Sequence, residues 1–218
     1  MKYPYALFDF DGTIADTKEG IIAAADHALR TYGIEADRET LLRFVGPTLW
    51  DSFKNLFGFD QKKADEAVSR YREYYSVKGI YQASLYPGIK EMLETLRTEG
   101  VKMGIGSSKN EIYVLRALEH FGVRDYFDVI IGSTPEGGHS SKEELIGMLM
   151  ESFGDASKEK YIYAGDSHTD LTGAAGRGVD FIAALYDRDE SEFAGLSPTY
   201  AARSVEEMGR IILGGSNE

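Results

Sequence analysis

The chain has 218 residues, of which 43% are apolar and 28% charged, a composition typical of a soluble globular protein that can bury a sizeable core. Its 24 basic and 36 acidic residues give a formal net charge of -12, which argues against nucleic acid polymers and anionic membranes as partners. Cysteine is absent, which excludes disulfides and thiolate metal sites and is consistent with a reducing compartment.

The N-terminal residues lead directly into a predicted strand. They lack the apolar segment and the small-residue cleavage site of a signal peptide. No apolar run in the sequence approaches the length needed to span a bilayer. We therefore expect a cytoplasmic protein without a membrane partner.

The first predicted strand, Tyr5–Phe8, ends in two carboxylates, Asp9 and Asp11, and Gly12 follows at once. Isolated carboxylates are costly in a medium of low dielectric constant, and like charges this close raise each other's pKa. A divalent cation or a phosphoryl chemistry would resolve both costs. Considered alone, the pattern is equally typical of a strand followed by a solvated Asp-Gly turn.

The next segment, residues 16–84, shows only helical patterns, over 17–32, 38–44, 47–57 and 61–78. Because it separates the first strand from the second, it predicts an inserted helical cap domain that covers the strand ends. Four apolar residues are expected to form the core of this domain: Trp50, Phe53, Leu56 and Phe57.

From residue 85 onward, predicted strands and helices alternate. Apolar runs predict strands over 102–106, 129–131, 161–164 and 181–185, and helical patterns begin at Ile89, near Leu145 and at Asp170. This alternation predicts an α/β fold, a Rossmann-like parallel sheet covered on both faces. The predicted domains are an α/β catalytic core, 1–15 and 85–218, and the helical cap, 16–84.

Polar side chains follow the later strands at the points where the strands end, and in such sheets these ends carry the working residues. They are Ser107, Ser108, Lys142, Asp166 and Asp170. Singly, each has an ordinary explanation: a serine before a helix is commonly an N-cap, and a lysine is usually solvated. Together with the acids of the first strand, they suit phosphoryl transfer through an aspartyl-phosphate, with Mg²⁺ holding the anions.

In sequence order these residues resemble the four motifs of the haloacid dehalogenase superfamily, over essentially the whole chain. The motifs are Asp9-x-Asp11-Gly12-Thr13, Ser107, Lys142 and Gly165-Asp166-x-x-x-Asp170. Within the superfamily, the chain is most similar to phosphatases with a helical cap, the phosphoglycolate phosphatase and 5'-nucleotidase-like group. The resemblance implies a Mg²⁺-dependent phosphoric monoester hydrolase acting on a small-molecule phosphate ester, as a monomer or homodimer.

The resemblance also implies four catalytic residues. Asp9 attacks phosphorus and becomes the phosphoaspartate. Asp11 protonates the leaving alkoxide and then activates the water that hydrolyses the intermediate. Ser107 hydrogen-bonds a phosphoryl oxygen, and Lys142 neutralises charge on the phosphoryl group and the nucleophile.

The implied metal ligands are a carboxylate oxygen of Asp9, the backbone carbonyl of Asp11, and Asp166, with Asp170 supporting the ion through water or Lys142. His168 lies between two of these acids, but Mg²⁺ prefers oxygen ligands, so we expect this histidine to face solvent or to lie outside the direct ligands.

Substrate binding is assigned to residues in both predicted domains. In the core, they are the backbone N–H groups at Phe10 and Asp11 and the neighbouring Ser108. In the cap, Arg43 is positioned to meet a second anionic group and Gly46 begins a sharp Gly-Pro turn; an ordinary helix break with a surface arginine explains them equally well.

The sequence differs in definite positions or features from three rival classes of protein. A β-phosphoglucomutase-like sugar phosphomutase carries a histidine twelve positions after the nucleophile, where this chain has Ile21, and often lacks Thr13. A dehalogenase proper lacks the acid at Asp11. A non-enzymatic phosphoaspartate module of the receiver type has about half this length and no helical insert.

Overall fold

The computed structural model describes residues 2–135, 138 and 141–215. The chain forms two compact units: Met1–Ala15 with Leu85–Glu218, and Asp16–Ser84. In the described residues there are eight strands: β1 (Tyr5–Phe8), β2 (Ala15–Asp16), β3 (Ser84–Leu85), β4 (Lys102–Asn110), β5 (Val129–Ser133), β6 (Tyr161–Gly165), β7 (Asp180–Ala184) and β8 (Tyr200–Ala202). The boundaries between the units fall within β2 and β3, which pair with each other.

The first unit is built on a six-stranded sheet with the order β5-β4-β1-β6-β7-β8. Every strand pair in it is parallel, from β5 on β4 to β8 on β7. Counting only these strands in chain order, this is the 3-2-1-4-5-6 order of a Rossmann fold, whose ligands bind where the order reverses, beside the first strand. The predicted α/β fold is therefore confirmed.

Both faces of the central strand are buried. Leu7 packs on one face in a cluster with Ile146 and Leu149. Phe8 is fully buried and contacts Phe127 edge to face, with ring centroids 6.3 Å apart. Successive strand residues point to opposite faces, so a continuous apolar run is what a sheet covered on both sides requires.

In the described part of the first unit, five helices pack against this sheet. They are α5 (Ile89–Thr98), α6 (Glu111–Phe121), α7 (Lys142–Phe153), α8 (His168–Arg177) and α9 (Val205–Leu213), numbered after the four helices of the second unit. Helix α7 packs on α8, and α5 packs on α9. The sequence patterns did not identify α6, α9 or β8. The predicted strands 102–106 and 129–131 also end before β4 and β5 do.

The second unit is helical and has its own aromatic core. Its helices are α1 (Lys18–Arg30), α2 (Arg38–Leu42), α3 (Leu49–Phe57) and α4 (Gln61–Tyr75). The ring centroid of Phe53 lies 5.0 Å from that of Phe44 and 5.8 Å from that of Phe59. Phe53 is fully buried. Trp50, by contrast, is only half-buried, and its indole donates to Asp65 Oδ1.

Side-chain caps explain where several helices begin. Asp37, Thr48 and Asp60 accept hydrogen bonds from backbone N–H groups at the starts of α2, α3 and α4. Helix α3 therefore begins after Thr48, two residues later than the sequence pattern predicts, and α1 and α4 end two to three residues earlier than predicted.

Within residues 2–135, 138 and 141–215, none of the helices combines the length and the apolar character that a membrane crossing requires.

Candidate active site

Asp9 lies directly after β1, at the point where the strand order reverses. Its backbone N–H donates to the carbonyl of Ala164 in β6, at 2.9 Å, and Phe8 is in register with Ala164. This pairing brings the end of β1 level with the end of β6, where Asp166 follows. The first and fourth motifs therefore meet at one edge of the sheet.

The turn after β1 closes tightly around Phe10. The carbonyl of Phe10 accepts from the backbone N–H of Ile14 at 3.0 Å and of Ala15 at 3.1 Å. Gly12 takes a φ of +81°, and a Cβ at this position would lie 2.5 Å from Asp166 Cγ. Only glycine meets both demands, so Gly12 lets the turn approach the second acid.

Three carboxylates and one ammonium group form a buried cluster. Oxygens of Asp9, Asp166 and Asp170 all lie within 4.8 Å of one another. The Lys142 ammonium is 2.6 Å from Asp9 Oδ1 and 2.8 Å from Asp170 Oδ1. Each of the four residues is less than 9% exposed, so Lys142 is not the solvated surface lysine that composition alone would suggest.

Burial changes the proton affinities within this cluster. Burial, reinforced by the neighbouring acids and opposed by Lys142, raises the pKa of Asp9 to about 7. Burial and Asp170 raise the pKa of Asp166 to about 6, against the opposing effect of Arg188. Burial alone would lower the pKa of Lys142, but Asp170 and Asp9 outweigh it and raise this pKa well above its usual value.

The position of Lys142 depends on the packing of α7 against α8. Ser141 caps α7 by accepting from the Glu144 N–H at 3.3 Å, which makes Lys142 the first helical residue. A Cβ on Gly173 in α8 would lie 2.5 Å from Lys142 Cβ. The missing side chain at Gly173 therefore allows Lys142 to lie beside the acids.

Asp170 is anchored from several directions. Its Oδ2 accepts from the Ser167 N–H at 3.1 Å and the Ser167 hydroxyl at 2.5 Å, completing a capping box at the start of α8. The hydroxyl of Tyr163 lies 3.2 Å from Asp170 Oδ1 and donates to the carbonyl of Gly106 at 2.8 Å. The same hydroxyl accepts from Lys142 at 3.2 Å. Tyr163 thus links the lysine to its acid.

Asp11 contacts a different lysine. The Lys109 ammonium lies 2.9 Å from each carboxylate oxygen of Asp11. The two side chains are only 8% and 17% exposed. Asp11 therefore pairs with Lys109, whereas Asp9 pairs with Lys142.

Ser107 and Ser108, which lie within β4, are not helix caps. Asn110 caps α6 by accepting from the Ile112 N–H at 3.1 Å. Ser107 is buried, with 2% exposure, and lies within β4, and its hydroxyl accepts from the Lys109 N–H at 3.4 Å. Ser108 is half-buried in the same strand. The capping alternative is therefore wrong for both serines.

Arg188 lies at the same edge of the sheet, four residues beyond the end of β7. Its Nε donates to Asp166 Oδ2 at 2.7 Å. Tyr186, two residues earlier, donates through its hydroxyl to the carbonyl of Thr13. The segment after β7 therefore contacts both the first and the fourth motif.

The remaining candidates are His168, Arg43 and Gly46. His168 is exposed, with its Nδ1 3.1 Å from Glu192 Oε1, as expected for a solvent-facing residue. Arg43 and Gly46 belong to the second unit, where both are exposed and Gly46 has a φ of +111°. Their assignment to substrate binding stays a prediction.

Sequence reasoning missed three residues of the site: Lys109, Tyr163 and Arg188. Lys109 lies in the last two residues of β4 and Arg188 follows the end of β7, so the rule that strand ends carry the site could have identified both residues. Tyr163 lies inside an apolar run, and no pattern distinguishes its hydroxyl from an ordinary core aromatic.

Comparison with known proteins identifies the family. The model of the haloacid dehalogenase-like hydrolases matches residues 6–184, and the chain belongs to that family. It is 36% identical to the 5'-nucleotidase of Pseudomonas aeruginosa, over 97% of this chain and 96% of the relative. It is 32% identical to the tyrosine-protein kinase PtkA of Mycobacterium tuberculosis, over 93% of this chain and 70% of the relative.

Among solved structures, a predicted phosphatase from Clostridium acetobutylicum has a TM-score of 0.92 at 34% identity, covering 98% of this chain and 99% of that one. The family resemblance seen in the sequence is thus confirmed. The chain is an enzyme of the phosphoric monoester hydrolase class.

The donor set of the cluster fits a divalent cation. Asp9 Oδ1 is buried and accepts no hydrogen bond from any described residue, although Lys142 lies beside it. Carboxylate oxygens are the ligands that Mg²⁺ prefers. Both oxygens of Asp170 already have close partners, so Asp9 and Asp166 are the better candidates for direct ligands.

Proposed function

We propose that this enzyme is a Mg²⁺-dependent phosphatase that hydrolyses small phosphomonoesters through an aspartyl-phosphate on Asp9. The observation that carries the proposal is the buried cluster in which the Lys142 ammonium contacts both Asp9 and Asp170. Asp9 and Asp170 share this one buried lysine, and two buried acids with a single cation are costly unless a metal ion or a phosphoryl group completes the charge balance.

The proposed ligands of the cation are Asp9, the backbone carbonyl of Asp11, and Asp166, while Asp170 supports the site through Lys142. A bound cation supplies positive charge that stabilises the developing charge on the phosphoryl oxygens and keeps the nucleophile ionised. The raised pKa of Asp9, about 7, indicates why the nucleophile needs such help near neutral pH.

The two acids of the first motif have different proposed tasks. Asp9, at the reversal point of the sheet and beside Lys142, attacks phosphorus and releases the alcohol. Asp11 is the proposed general acid and base, because Lys109 holds its carboxylate in place. The proton passes from Asp11 to the leaving oxygen and returns from the attacking water.

The proposed phosphoryl contacts are made by residues next to these acids. The buried hydroxyl of Ser107 and the ammonium of Lys142 are assigned to the phosphoryl oxygens. The backbone N–H groups at Phe10 and Asp11 and the neighbouring Ser108 are assigned to the same group. Positively charged and N–H donors of this kind stabilise the equatorial oxygens of a transferring phosphoryl group.

The substrate class is proposed from the relatives and the second unit together. The relative named a 5'-nucleotidase makes nucleoside 5'-monophosphates the first substrates to test, followed by phosphoglycolate, sugar phosphates and pyrophosphate. Arg43 and Gly46 are the residues proposed to select among them. The exposed guanidinium of Arg43 suits a second anionic group on the substrate.

A panel of phosphate esters assayed with Mg²⁺ at several pH values tests the proposal. We expect release of inorganic phosphate, with kcat/KM highest for one class of small monoester, and burst-phase labelling of Asp9. Arg43→Ala is expected to raise KM more for substrates with a second anionic group than for an aryl phosphate. Stable transfer of phosphate to a tyrosine or to a second sugar hydroxyl, with no phosphate release, would contradict hydrolysis.

A further inference from the structure

Arg188 pairs with a carboxylate that the proposed function assigns to the cation. Its Nε lies 2.7 Å from Asp166 Oδ2. The Asp166 side chain is 4% exposed, whereas the Arg188 side chain is 32% exposed. The guanidinium therefore enters the cluster from the solvent side, and none of the motifs identified in the sequence includes it.

The charges of the cluster explain why the pairing exists. Lys142 contacts Asp9 and Asp170 but makes no ion pair with Asp166. Asp166 takes its positive charge from Arg188 instead. A buried carboxylate without a counter-ion strongly destabilises a fold, so this arginine stabilises the protein when no metal is bound.

The segment that carries Arg188 is fixed at the two residues that directly precede the arginine. The Tyr186 hydroxyl donates to the Thr13 carbonyl, and the Tyr86 hydroxyl donates to Asp187 Oδ2 at 2.5 Å. The chain just before Arg188 is thus held in place, through Tyr186 against the turn after β1. The partly exposed guanidinium can leave Asp166 by rotation of its side chain alone.

We propose that Arg188 is the counter-ion of Asp166 in the metal-free enzyme and that the divalent cation takes its place, so that Arg188 sets the metal affinity of the site. The cation and the guanidinium would otherwise share one buried carboxylate, where their repulsion is weakly screened. The inference rests on the proposed function only in assigning Asp166 to the cation.

Calorimetric titration with Mg²⁺, in the absence of substrate, measures the first consequence. Arg188→Gln is expected to bind Mg²⁺ about tenfold more tightly than the wild type, because the cation no longer displaces an ion pair. The matched control is Arg203→Gln, which removes the same charge from an exposed pair with Glu190 in the same unit and is expected to bind as the wild type does. Affinities within twofold for the wild type and Arg188→Gln would overturn the proposal.

The Arg188 Nε–Hε signal in a ¹H–¹⁵N spectrum, assigned by its loss in Arg188→Gln, tests the exchange itself. Adding Mg²⁺ is expected to move this signal to the position of a solvated arginine, and an unmoved signal overturns the proposal even if the affinity rises. If Arg188→Gln folds only in the presence of Mg²⁺, the titration is carried out on the charge-retaining variant Arg188→Lys. Its affinity for Mg²⁺ is expected to lie between that of the wild type and the tenfold higher affinity expected for Arg188→Gln. Failure of every form to bind Mg²⁺ would contradict the metal site itself, a result distinct from equal binding.

Discussion

The ammonium of Lys109 lies 2.9 Å from both carboxylate oxygens of Asp11, in a pair that is largely buried. This contact gives the carboxylate of the second acid in the first motif a fixed direction. General acid and base catalysis depends on such placement, because the proton must move along a short hydrogen bond.

Replacing Lys109 with methionine should therefore lower kcat by about ten- to a hundredfold, with a smaller change in KM, because Asp11 loses its orientation. Lys109→Arg, which keeps the charge and the reach, should recover much of the rate. Steady-state kinetics on an aryl phosphate measures both variants. An unchanged kcat in Lys109→Met would show that Asp11 does not depend on Lys109 for its orientation.

Asp9→Asn should abolish turnover and leave the fold intact, because the amide is a poor nucleophile of nearly the same size. The control is Asp128→Asn, at an exposed aspartate of the same unit that pairs with Lys102 at 2.9 Å and belongs to no motif. Phosphate release and circular dichroism distinguish the two variants. Substantial residual activity in Asp9→Asn would remove it as nucleophile.

Gly12→Ala tests the close approach of the turn to Asp166. Its Cβ would meet that carboxylate, so we expect a loss of about 2 kcal/mol in the free energy of unfolding beyond the cost of the positive φ, together with weaker Mg²⁺ binding. Gly100→Ala isolates the backbone cost, because Gly100 has a φ of +79° with no atom within 4 Å of the added Cβ. Denaturant unfolding compares them, and equal losses would mean that the turn can move.

Tyr163→Phe removes the hydroxyl that joins Lys142, Asp170 and the Gly106 carbonyl. We expect a loss of about 1–3 kcal/mol in stability and a reduced kcat, since the lysine is less firmly held. Tyr161→Phe, in the same strand, removes a hydroxyl that bonds only the Asp155 carbonyl among the described residues and should leave kcat unchanged. If Tyr163 has a purely structural role, both Tyr163→Phe and Tyr161→Phe should lower the stability of the protein and leave kcat unchanged.

EDTA should remove activity, and Mg²⁺ should restore it. Because the cation neutralises buried carboxylates, Mg²⁺ at about one hundred times its dissociation constant should stabilise the protein by about 2.7 kcal/mol, or raise Tm by about 5–10 °C. Thermal denaturation with and without the metal measures this shift. Activity that is indifferent to EDTA would point to chemistry without a cation.

The sequence predicts the parts of this enzyme that follow strict local rules. Apolar runs between turn residues identified β1, β6 and β7 closely, and the order of motifs at strand ends led to Asp9, Lys142 and Asp166. Helix α6 was missed because its cap, Asn110, is also the last residue of β4, so no loop separates the strand from the helix. The shorter strand β8 carries too few apolar residues to stand out.

Local sequence patterns could not predict which residues contact the proposed catalytic groups. Which lysine reaches which acid depends on the pairing of β1 with β4 and on the packing of α7 against α8, and both join residues distant in the chain. Arg188 illustrates the same limit, since its contact with Asp166 exists only because β7 lies next to β6.

The close packing of α7 on α8 bears on how active members of this family are recognised. A homologue that keeps every charged motif residue but carries a bulky side chain at the position of Gly173 would hold its lysine away from its acids. Loss of catalysis in evolution can therefore arise at a glycine that no motif contains. A search for functional enzymes among related genomes gains accuracy by requiring a small residue there.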